Sequence, residues 1–259
     1  MKNERIIKAK ICIFPIISVL SGVILTVRYN RLKDYKSKPI KITESFTYTA
    51  HTGCMGTEDN SLESIEVEVE NGAQIVEFDV RYYKQNPVLA HDEPKGDEVT
   101  LKEAFLKVKE YENLKVNVDI KSTEHLEKVQ IIAEETGISD RIFFTGIEES
   151  DVVIVKKTCP EVQYYLNVDV LSPRKQSEEY LLSLVEKIKS CGAVGINFNK
   201  VKATQELVDI FHENGLLVSI WTVNNNRDIY RILSYGPDNI TTRKPDKLKE
   251  ALKEINYSK

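Results

Sequence analysis

The chain has 259 residues, of which 41% are hydrophobic and 29% are charged, with 11 Gly and 8 Pro. This composition excludes a disordered chain, a collagen and a coiled coil, and the length suffices for one large core or two small ones. The net charge of −4 is unevenly distributed, because residues 1–41 carry +8 and the remaining residues carry −12. An acidic body is atypical of proteins that bind duplex nucleic acid, which need clustered Lys and Arg against the phosphates. We therefore expect no nucleic-acid partner.

The N-terminal region contains an uncharged apolar run, residues 11–27, between two basic stretches. Its 17 residues are at the short end of the length that spans a hydrocarbon layer at about 1.5 Å per residue. We predict a basic segment at 1–10, a transmembrane anchor at 11–27, a polar linker at 28–45 and a folded body at 46–259. A cleaved secretory signal peptide is the alternative for the apolar run.

The expected localisation follows from the fate of this apolar run. An anchored chain has the membrane as a partner and, in our expectation, an extracytoplasmic body, whereas a cleaved chain is secreted. Basic residues on both sides of the run give no clear orientation by the positive-inside bias.

Along the body, short β-branched runs alternate with segments of helical periodicity. The predicted strands are, in chain order, 46–51, 74–81, 115–121, 141–146, 163–168, 193–198, 216–223 and 238–242. Helices are predicted between them, for example at 61–71, 124–136, 177–191, 204–214 and 227–235. Eight strand–helix units predict an α/β fold, a (β/α)8 TIM barrel preceded by the N-terminal transmembrane helix. An open doubly wound sheet is the alternative.

A ninth short strand is predicted at 87–91, too close to strand 74–81 for a crossover helix between them. The polar turn Lys84-Gln85-Asn86 predicts a hairpin centred near residue 85. This register would pair Asp79 with His91, which brings the histidine to the acidic strand.

Three carboxylates lie near the ends of predicted strands. Glu77 and Asp79 are two residues apart and therefore share one face of the second strand, and Asp119 lies near the end of the third. Parallel barrel strands are normally apolar on both faces, so these charges are atypical of core positions. Because oxygen-only ligands suit hard cations, the sequence predicts a Mg²⁺ or Ca²⁺ site at one rim of the barrel.

Two histidines and a lysine accompany these carboxylates. His51 ends the first strand, His91 ends the hairpin arm, and Lys121 shares a face with Asp119. Imidazoles beside a cation can act as acid and base, because they titrate near neutral pH. No G-x-S-x-G, P-loop, G-x-G-x-x-G or H-E-x-x-H motif occurs, which excludes the common hydrolase-triad, nucleotide-binding and zincin interpretations.

Several short motifs follow one another in a fixed order. The chain has AHTG at 50–53, DNS at 59–61, GAQIVEFDVRYYKQNPVLAHDEP at 72–94, VDIK at 118–121, SIWTVNN at 219–225 and ITTRKPD at 240–246. This ordered set resembles the glycerophosphodiester phosphodiesterase family, whose pattern is His-Arg-Gly, Glu-Asn-Thr, Glu-x-Asp-Val, His-Asp, Glu-x-Lys, Trp-Thr-Val-Asn and Thr-Asp-Arg-Pro. The resemblance covers residues 46 to about 250.

The resemblance implies a barrel that uses a divalent cation to hydrolyse glycerophosphodiesters to glycerol 3-phosphate and an alcohol. In the family, the glycerol hydroxyl next to the phosphate is thought to attack first. The substrate would be a small-molecule or lipid-derived phosphodiester. The resemblance implies that His51 and His91 act as acid and base. Glu77, Asp79 and Asp119 would bind the cation, and Lys121 would contact the phosphoryl oxygens.

The chain departs from the family pattern at four places. The Arg after the first His is Thr52, which removes a phosphate contact, and the Glu before the Lys is Asp119, one methylene shorter. Glu-Asn-Thr is Asp59-Asn60-Ser61, and the Asp near the last strand is Arg243. We hypothesise that Arg243 binds the substrate and restores the charge missing at position 52, because the first and last strands of a barrel are neighbours. Trp221, at the end of the seventh strand, is expected to form a wall of the same pocket.

Two other functions stay open at this point. Sphingomyelinases D, a related family with phospholipase D-like activity on lysolipids, resemble the chain in using Asp as the third ligand. The Trp221-Thr222-Val223-Asn224 stretch is more similar to the glycerophosphodiesterases. A membrane-anchored barrel that binds phosphodiesters without turnover is the other alternative, suggested by the missing Arg.

Overall fold

The computed structural model describes residues 33–38, 40, 42, 43 and 45–257. Residues 33–36 are helical, and the described residues from Ile40 to Tyr257 belong to one compact unit. The predicted basic segment and the predicted anchor lie outside the described residues, as does most of the predicted linker. In the part of the chain that is described, no helix combines the length and apolar character needed to cross a membrane.

Eight parallel strands form a closed barrel in residues 40–257. Strand β1 (Thr47–Ala50) pairs with β2 (Ile75–Tyr83) on one side and with β9 (Asn239–Thr242) on the other, and this pairing closes the sheet. The prediction of a (β/α)8 barrel is confirmed, and the open doubly wound sheet is excluded. The barrel strands are β1 (Thr47–Ala50), β2 (Ile75–Tyr83), β4 (Lys115–Ile120), β5 (Ile142–Ile147), β6 (Tyr164–Asn167), β7 (Gly195–Asn199), β8 (Leu217–Trp221) and β9 (Asn239–Thr242).

Helices connect the strands, and side-chain caps define where several of them begin. Ser61, Ser177 and Thr204 each accept a hydrogen bond from the backbone N–H three residues later. The predicted helix 124–136 begins only at Glu127, because His125 has a left-handed backbone with φ of +58°. The α-helices described between residues 45 and 257 are Leu62–Glu70, Leu101–Lys109, Glu127–Thr136, Val152–Thr158, Glu178–Cys191, Gln205–Glu213, Asn226–Leu233 and Pro245–Tyr257.

The inner face of the barrel is polar, whereas the apolar side chains of the strands pack between sheet and helices. Val118, Phe144 and Ile196, on strands β4, β5 and β7, are fully buried. Amides and hydroxyls alternate with these residues and bond to one another across neighbouring strands, which satisfies polar groups that burial would otherwise destabilise. Hydrogen bonds of this kind join Asn239 to Thr49, Thr145 to Asn117 and Asn197 to Asn167.

The predicted hairpin is present, but its register differs by one residue from the prediction. Strand β3 (Asn86–Leu89) pairs antiparallel with β2 through a two-residue turn, in which Lys84 and Gln85 have φ of +46° and +69°. Two consecutive left-handed residues form the tight turn that suits twisted hairpins. The turn is therefore centred between residues 84 and 85, so Asp79 is opposite Ala90, whose N–H donates to the Asp79 carbonyl at 3.0 Å. The prediction that Asp79 pairs with His91 is wrong for this reason.

Gly146 on β5 is predicted to tolerate no side chain. It has φ of +75°, and a Cβ there would meet the Ile120 carbonyl oxygen at 2.3 Å. We expect Gly146→Ala to lower the free energy of unfolding by about 1–2 kcal/mol from backbone conformation, with about 1–3 kcal/mol more from overpacking. Denaturant unfolding measures this change.

Gly215→Ala is the matched control, because Gly215 has nearly the same φ, +72°, and open space around its Cβ position. We expect this variant to show only the conformational part of the loss. Equal destabilisation of the two variants would contradict the close approach at Gly146.

Candidate active site

The predicted site residues converge at the C-terminal rim of the barrel, where parallel strands of this fold present functional groups. They surround a cavity of about 260 Å³, which we call the phosphate cavity. The predicted residues that line it are His51, Glu77, Asp79, His91, Asp119, Lys121 and Trp221. Arg243 is the one predicted site residue that does not line this cavity.

The three predicted ligands form a compact carboxylate cluster. One oxygen from each of Glu77, Asp79 and Asp119 lies within 4.8 Å of the others. The parallel register of β2 and β4 sets this proximity, because Asp79 lies directly beside Asp119. Glu77 and Asp79 are almost completely buried, at 4% and 2% exposure. The geometry is suited to one hard cation held by oxygen atoms.

Burial and like charge act together on Glu77. Desolvation raises the pKa of Glu77 well above its usual value, and the neighbouring charges of Asp79 and Asp119 raise it further. The backbone N–H of Thr52 opposes this effect by donating to Glu77 Oε2 at 3.0 Å. A positive charge placed among the three carboxylates would favour the ionised form of Glu77.

Lys121 supplies the positive charge that the structure places at the cluster. Its Nζ lies 2.9 Å from Asp79 Oδ1 and 2.5 Å from Asp119 Oδ2. Burial acts to lower the pKa of Lys121, but the charges of Asp119 and Asp79 outweigh it and raise the pKa above the usual value. One ammonium thus faces three carboxylates, so the cluster retains an excess of acid.

The loop after β1 orients His51. Its Nδ1 lies 3.0 Å from the Thr52 carbonyl oxygen and 3.4 Å from Glu77 Oε2. A proton on Nδ1 is therefore donated to that carbonyl, and Nε2 is left as the acceptor. Burial is the main cause that lowers the pKa of His51.

His91 follows β3 and is much more exposed than His51, at 67% for its side chain. Its Nδ1 lies 2.9 Å from Asp92 Oδ1, and its carbonyl oxygen accepts a hydrogen bond from Arg81 Nε at 2.8 Å. The two histidines thus have contrasting environments at one cavity.

Sequence reasoning assigned no role to Asn60, which fixes one of the predicted ligands. Asn60 Nδ2 donates to Asp79 Oδ2 at 3.0 Å, and Asn60 Oδ1 accepts from the Asp79 N–H at 2.9 Å. The Asn60 N–H donates to Thr52 Oγ1, and Asn60 itself has φ of +60°. Thr145 likewise donates to Asp119 Oδ1 at 2.9 Å. The only signal for Asn60 was its place in the DNS motif, and Thr145 gave none.

Arg243 lies at the end of β9 and is held in a two-pronged ion pair. Its two terminal nitrogens lie 2.6 and 3.1 Å from the Asp59 carboxylate oxygens. The hydrogen bonds to Asp59 raise the pKa of Arg243. A Cβ on Gly53 would meet Asp59 Oδ1 at 1.6 Å and Arg243 at 2.8 Å, so the pair lies against the loop that carries His51.

A buried carboxyl supports that loop from behind. The Gly53 N–H donates to Ser64 Oγ at 2.8 Å, and Ser64 Oγ donates to Glu68 Oε1 at 2.7 Å. Glu68 is only 1% exposed, and burial raises its pKa well above the usual value.

The fold and the site define a class, that of parallel α/β barrels with a carboxylate cluster and two histidines at the C-terminal rim. The sequence profile of the glycerophosphoryl diester phosphodiesterase family matches residues 95–247, more than half of the chain. The chain belongs to this family and is a phosphoric diester hydrolase.

Individual relatives agree with this classification. A glycerophosphodiester phosphodiesterase of Bacillus altitudinis is 23% identical, in an alignment that covers 79% of this chain and 98% of the relative. A crystal structure of a glycerophosphodiester phosphodiesterase from Parabacteroides distasonis has a TM-score of 0.65 at 18% identity, over 83% of this chain and 99% of that one. An Oleispira antarctica phosphodiesterase in complex with sn-glycerol-3-phosphate has a TM-score of 0.65 at 19% identity, over 80% and 96% of the two chains.

The Asp59–Arg243 pair is predicted to couple the loop before helix Leu62–Glu70 to β9. In a double-mutant cycle with Asp59→Ala and Arg243→Ala, we expect a coupling of about 0.5–1 kcal/mol, because both side chains are partly exposed to solvent. Urea unfolding measures the coupling, which should decrease at high salt. A coupling of zero at low salt would contradict the pairing.

Glu68 is predicted to make stability depend on pH. Because its pKa is raised in the folded state, the unfolded chain loses this proton first, and stability falls as pH rises above the usual 4.5. Glu68→Gln removes this proton release and should gain stability relative to the native chain between pH 5 and pH 8, by up to about 1.4 kcal/mol per pH unit. Urea unfolding of both chains at the two pH values measures this gain. A stability difference between the two chains that stays the same at both pH values would contradict a neutral buried Glu68.

Proposed function

We propose that this chain hydrolyses glycerophosphodiesters to glycerol 3-phosphate and an alcohol, with one divalent cation and with two histidines as acid and base. The convergence of three carboxylates, two histidines and a lysine on the phosphate cavity supports the proposal. Family membership and the glycerol 3-phosphate complex of the Oleispira antarctica relative support the same substrate class.

Glu77, Asp79 and Asp119 would hold the cation, which we propose is Mg²⁺ or Ca²⁺. The donor set fits, because all three ligands are carboxylate oxygens within 4.8 Å of one another. When bound, such a cation polarises the phosphoryl oxygens and offsets the charge that develops on them. Asn60 and Thr145 would keep two of the ligands in place through their hydrogen bonds to Asp79 and Asp119.

His51 is assigned as the base that starts the reaction. With Nδ1–H on the Thr52 carbonyl, its Nε2 can take the proton from the glycerol hydroxyl next to the phosphate, as that oxygen attacks phosphorus. His91, whose Nδ1 contacts Asp92 Oδ1, is assigned as the acid that gives a proton to the alcohol oxygen as the phosphorus–oxygen bond breaks. A water molecule then opens the cyclic phosphodiester while the two imidazoles exchange roles.

Lys121 and Arg243 are assigned to the phosphoryl group. Lys121 already lies between two carboxylates of the cluster, so its ammonium can contact a phosphoryl oxygen on the same cation. Arg243 would supply the charge that Thr52 does not, by exchanging one Asp59 oxygen for a phosphoryl oxygen.

A phospholipase D-like reaction on lysolipids is the second candidate function. Asp119 as the third ligand favours it, since the glycerophosphodiesterase pattern has Glu there. Both reactions would use the same cluster and histidines, and the choice of substrate separates them.

A membrane-anchored, extracytoplasmic location remains our proposal from the apolar run 11–27.

Activity is predicted to require the cation and both histidines. We expect the full chain to release glycerol 3-phosphate from glycerophosphocholine, to lose this activity with EDTA, and to regain it with Mg²⁺, Mn²⁺ or Ca²⁺. His51→Ala and His91→Ala should each reduce kcat by about 10²- to 10⁴-fold. An enzyme-coupled assay for glycerol 3-phosphate measures all of these rates.

His212→Ala is the matched control, because His212 is exposed on helix Gln205–Glu213 and lies outside the phosphate cavity. Its activity should equal that of the native chain. No turnover of glycerophosphocholine with any of the three cations, together with cleavage of lysophosphatidylcholine or sphingomyelin, would favour the second candidate. Full activity of His51→Ala on every substrate would contradict the assignment of the base.

A further inference from the structure

A second cavity adjoins the phosphate cavity and has a volume of about 340 Å³. We call it the β6–β8 cavity, because residues at the ends of strands β6, β7 and β8 and in the loops after them surround it. Asn167, Asn197 and Trp221 line both cavities and form their common wall. Val170 and Val201 contribute an apolar side to the new cavity.

Two buried polar atoms in the common wall lack a hydrogen-bond partner among the described residues. They are the Asn197 Oδ1 acceptor and the Trp221 Nε1–H donor. Asn197 is only 6% exposed, and its amide nitrogen is already used by the Asn167 side chain. A buried unpaired acceptor and donor are unfavourable unless a ligand or water completes them. One acceptor together with one donor is the complement of a hydroxyl group, which can both donate and accept.

The two acidic residues of the β6–β8 cavity lie at its outer edge. Asp169 has a side chain that is 97% exposed and lies 3.6 Å from Lys202 Nζ. Glu148 is also exposed, and its side chain accepts from the Asp151 N–H. Lys202 is 28% exposed and is paired with Asp169, and the rest of the lining is uncharged, with amide groups on one side and apolar groups on the other.

The position of the cavity relates it to one arm of the substrate. In the closed strand order, β7 and β8 are opposite β2 and β4, which carry the carboxylate cluster. A phosphodiester held at the cluster has two organic arms. The glycerol arm must keep its attacking hydroxyl near phosphorus and His51, so the alcohol arm is the one that can extend across the barrel opening.

We propose that the β6–β8 cavity binds the leaving alcohol, and that it favours a neutral alcohol carrying further hydroxyl groups, such as a second glycerol or an inositol. This inference rests on the proposed hydrolysis of glycerophosphodiesters. Hydroxyl groups of the alcohol supply the partners that Asn197 Oδ1 and Trp221 Nε1–H lack, while its C–H groups pack against the indole ring and Val201. Choline and ethanolamine have no further hydroxyl with which to make these hydrogen bonds.

The first test compares two diesters that share the glycerol phosphate part, glycerophosphoglycerol and glycerophosphocholine. We expect kcat/KM to be about threefold to tenfold higher for glycerophosphoglycerol, the range of one or two hydrogen bonds. Trp221→Phe keeps a ring but removes the Nε1–H donor, and should bring the ratio close to one. If the ratio of the two kcat/KM values is unchanged in this variant, which includes an equal loss on both substrates, the proposal is overturned.

The second test fills the cavity from its open side. Val201 is 59% exposed and lines only the β6–β8 cavity, so Val201→Phe should fold and lower kcat/KM for glycerophosphoglycerol roughly tenfold. Val153→Phe is the matched control, since Val153 is 77% exposed on helix Val152–Thr158 and lines neither cavity. Equal activity of the two variants on glycerophosphoglycerol contradicts the assignment of the cavity.

A direct binding measurement separates this inference from the proposed function. Trp221 is the single tryptophan of the chain, so its fluorescence reports on the common wall. We expect a saturable change with myo-inositol and none with choline. This response in a chain that turns over neither diester would contradict the hydrolysis while supporting the polyol site. Turnover with no response to myo-inositol and no preference between the diesters overturns the polyol site alone.

Discussion

The close approach of three carboxylates, two of them buried, is the constraint on which the rest of this barrel depends. Two unit charges about 4 Å apart repel by about 1 kcal/mol in water and about 4 kcal/mol near a protein surface. Asp79 and Asp119 are held close together, because β2 and β4 pair in a register that places them side by side. Donors from separate elements therefore meet at this rim: Lys121 after β4, Thr145 on β5, and Thr52 and Asn60 from the segment between β1 and helix Leu62–Glu70.

The hydrogen bonds around the cluster continue along the polar inner face of the barrel to the neighbouring strands. An apolar interior would surround the cluster with a medium that further disfavours ionised carboxylates. Hydrogen-bonded amides and hydroxyls on β4, β5, β6 and β7 provide a graded environment instead. Asn197 Oδ1 and Trp221 Nε1–H have no hydrogen-bond partner among the described residues, and both residues lie where the two cavities meet. A ligand group at that point would complete the network.

Much of this arrangement could be predicted from the sequence, because strong local signals agree with the fold. Alternation in segments such as VEFDV and VNVDI marks the strands, and the same alternation places Glu77 and Asp79 on one face. The register of β3 was missed because it depends on φ at Lys84 and Gln85, which composition does not determine. The roles of Asn60, Thr145 and Asn197 were missed for a different reason. Their partners lie 19 to 30 residues away in the chain, and only the tertiary packing of neighbouring strands and loops brings them together.

The replacement of a family arginine by Thr52 changes how charge and geometry are distributed around the cluster. Thr52 is buried, its N–H donates to Glu77 and its hydroxyl accepts from the Asn60 N–H, so this position orients two residues at the cluster. Arg243 is oriented from β9 by Asp59, whose side chain is half exposed. In our proposal Arg243 exchanges an Asp59 oxygen for a phosphoryl oxygen. Because water can solvate the Asp59 carboxylate that is then released, the exchange carries a small desolvation penalty, and a buried partner would have made it unfavourable.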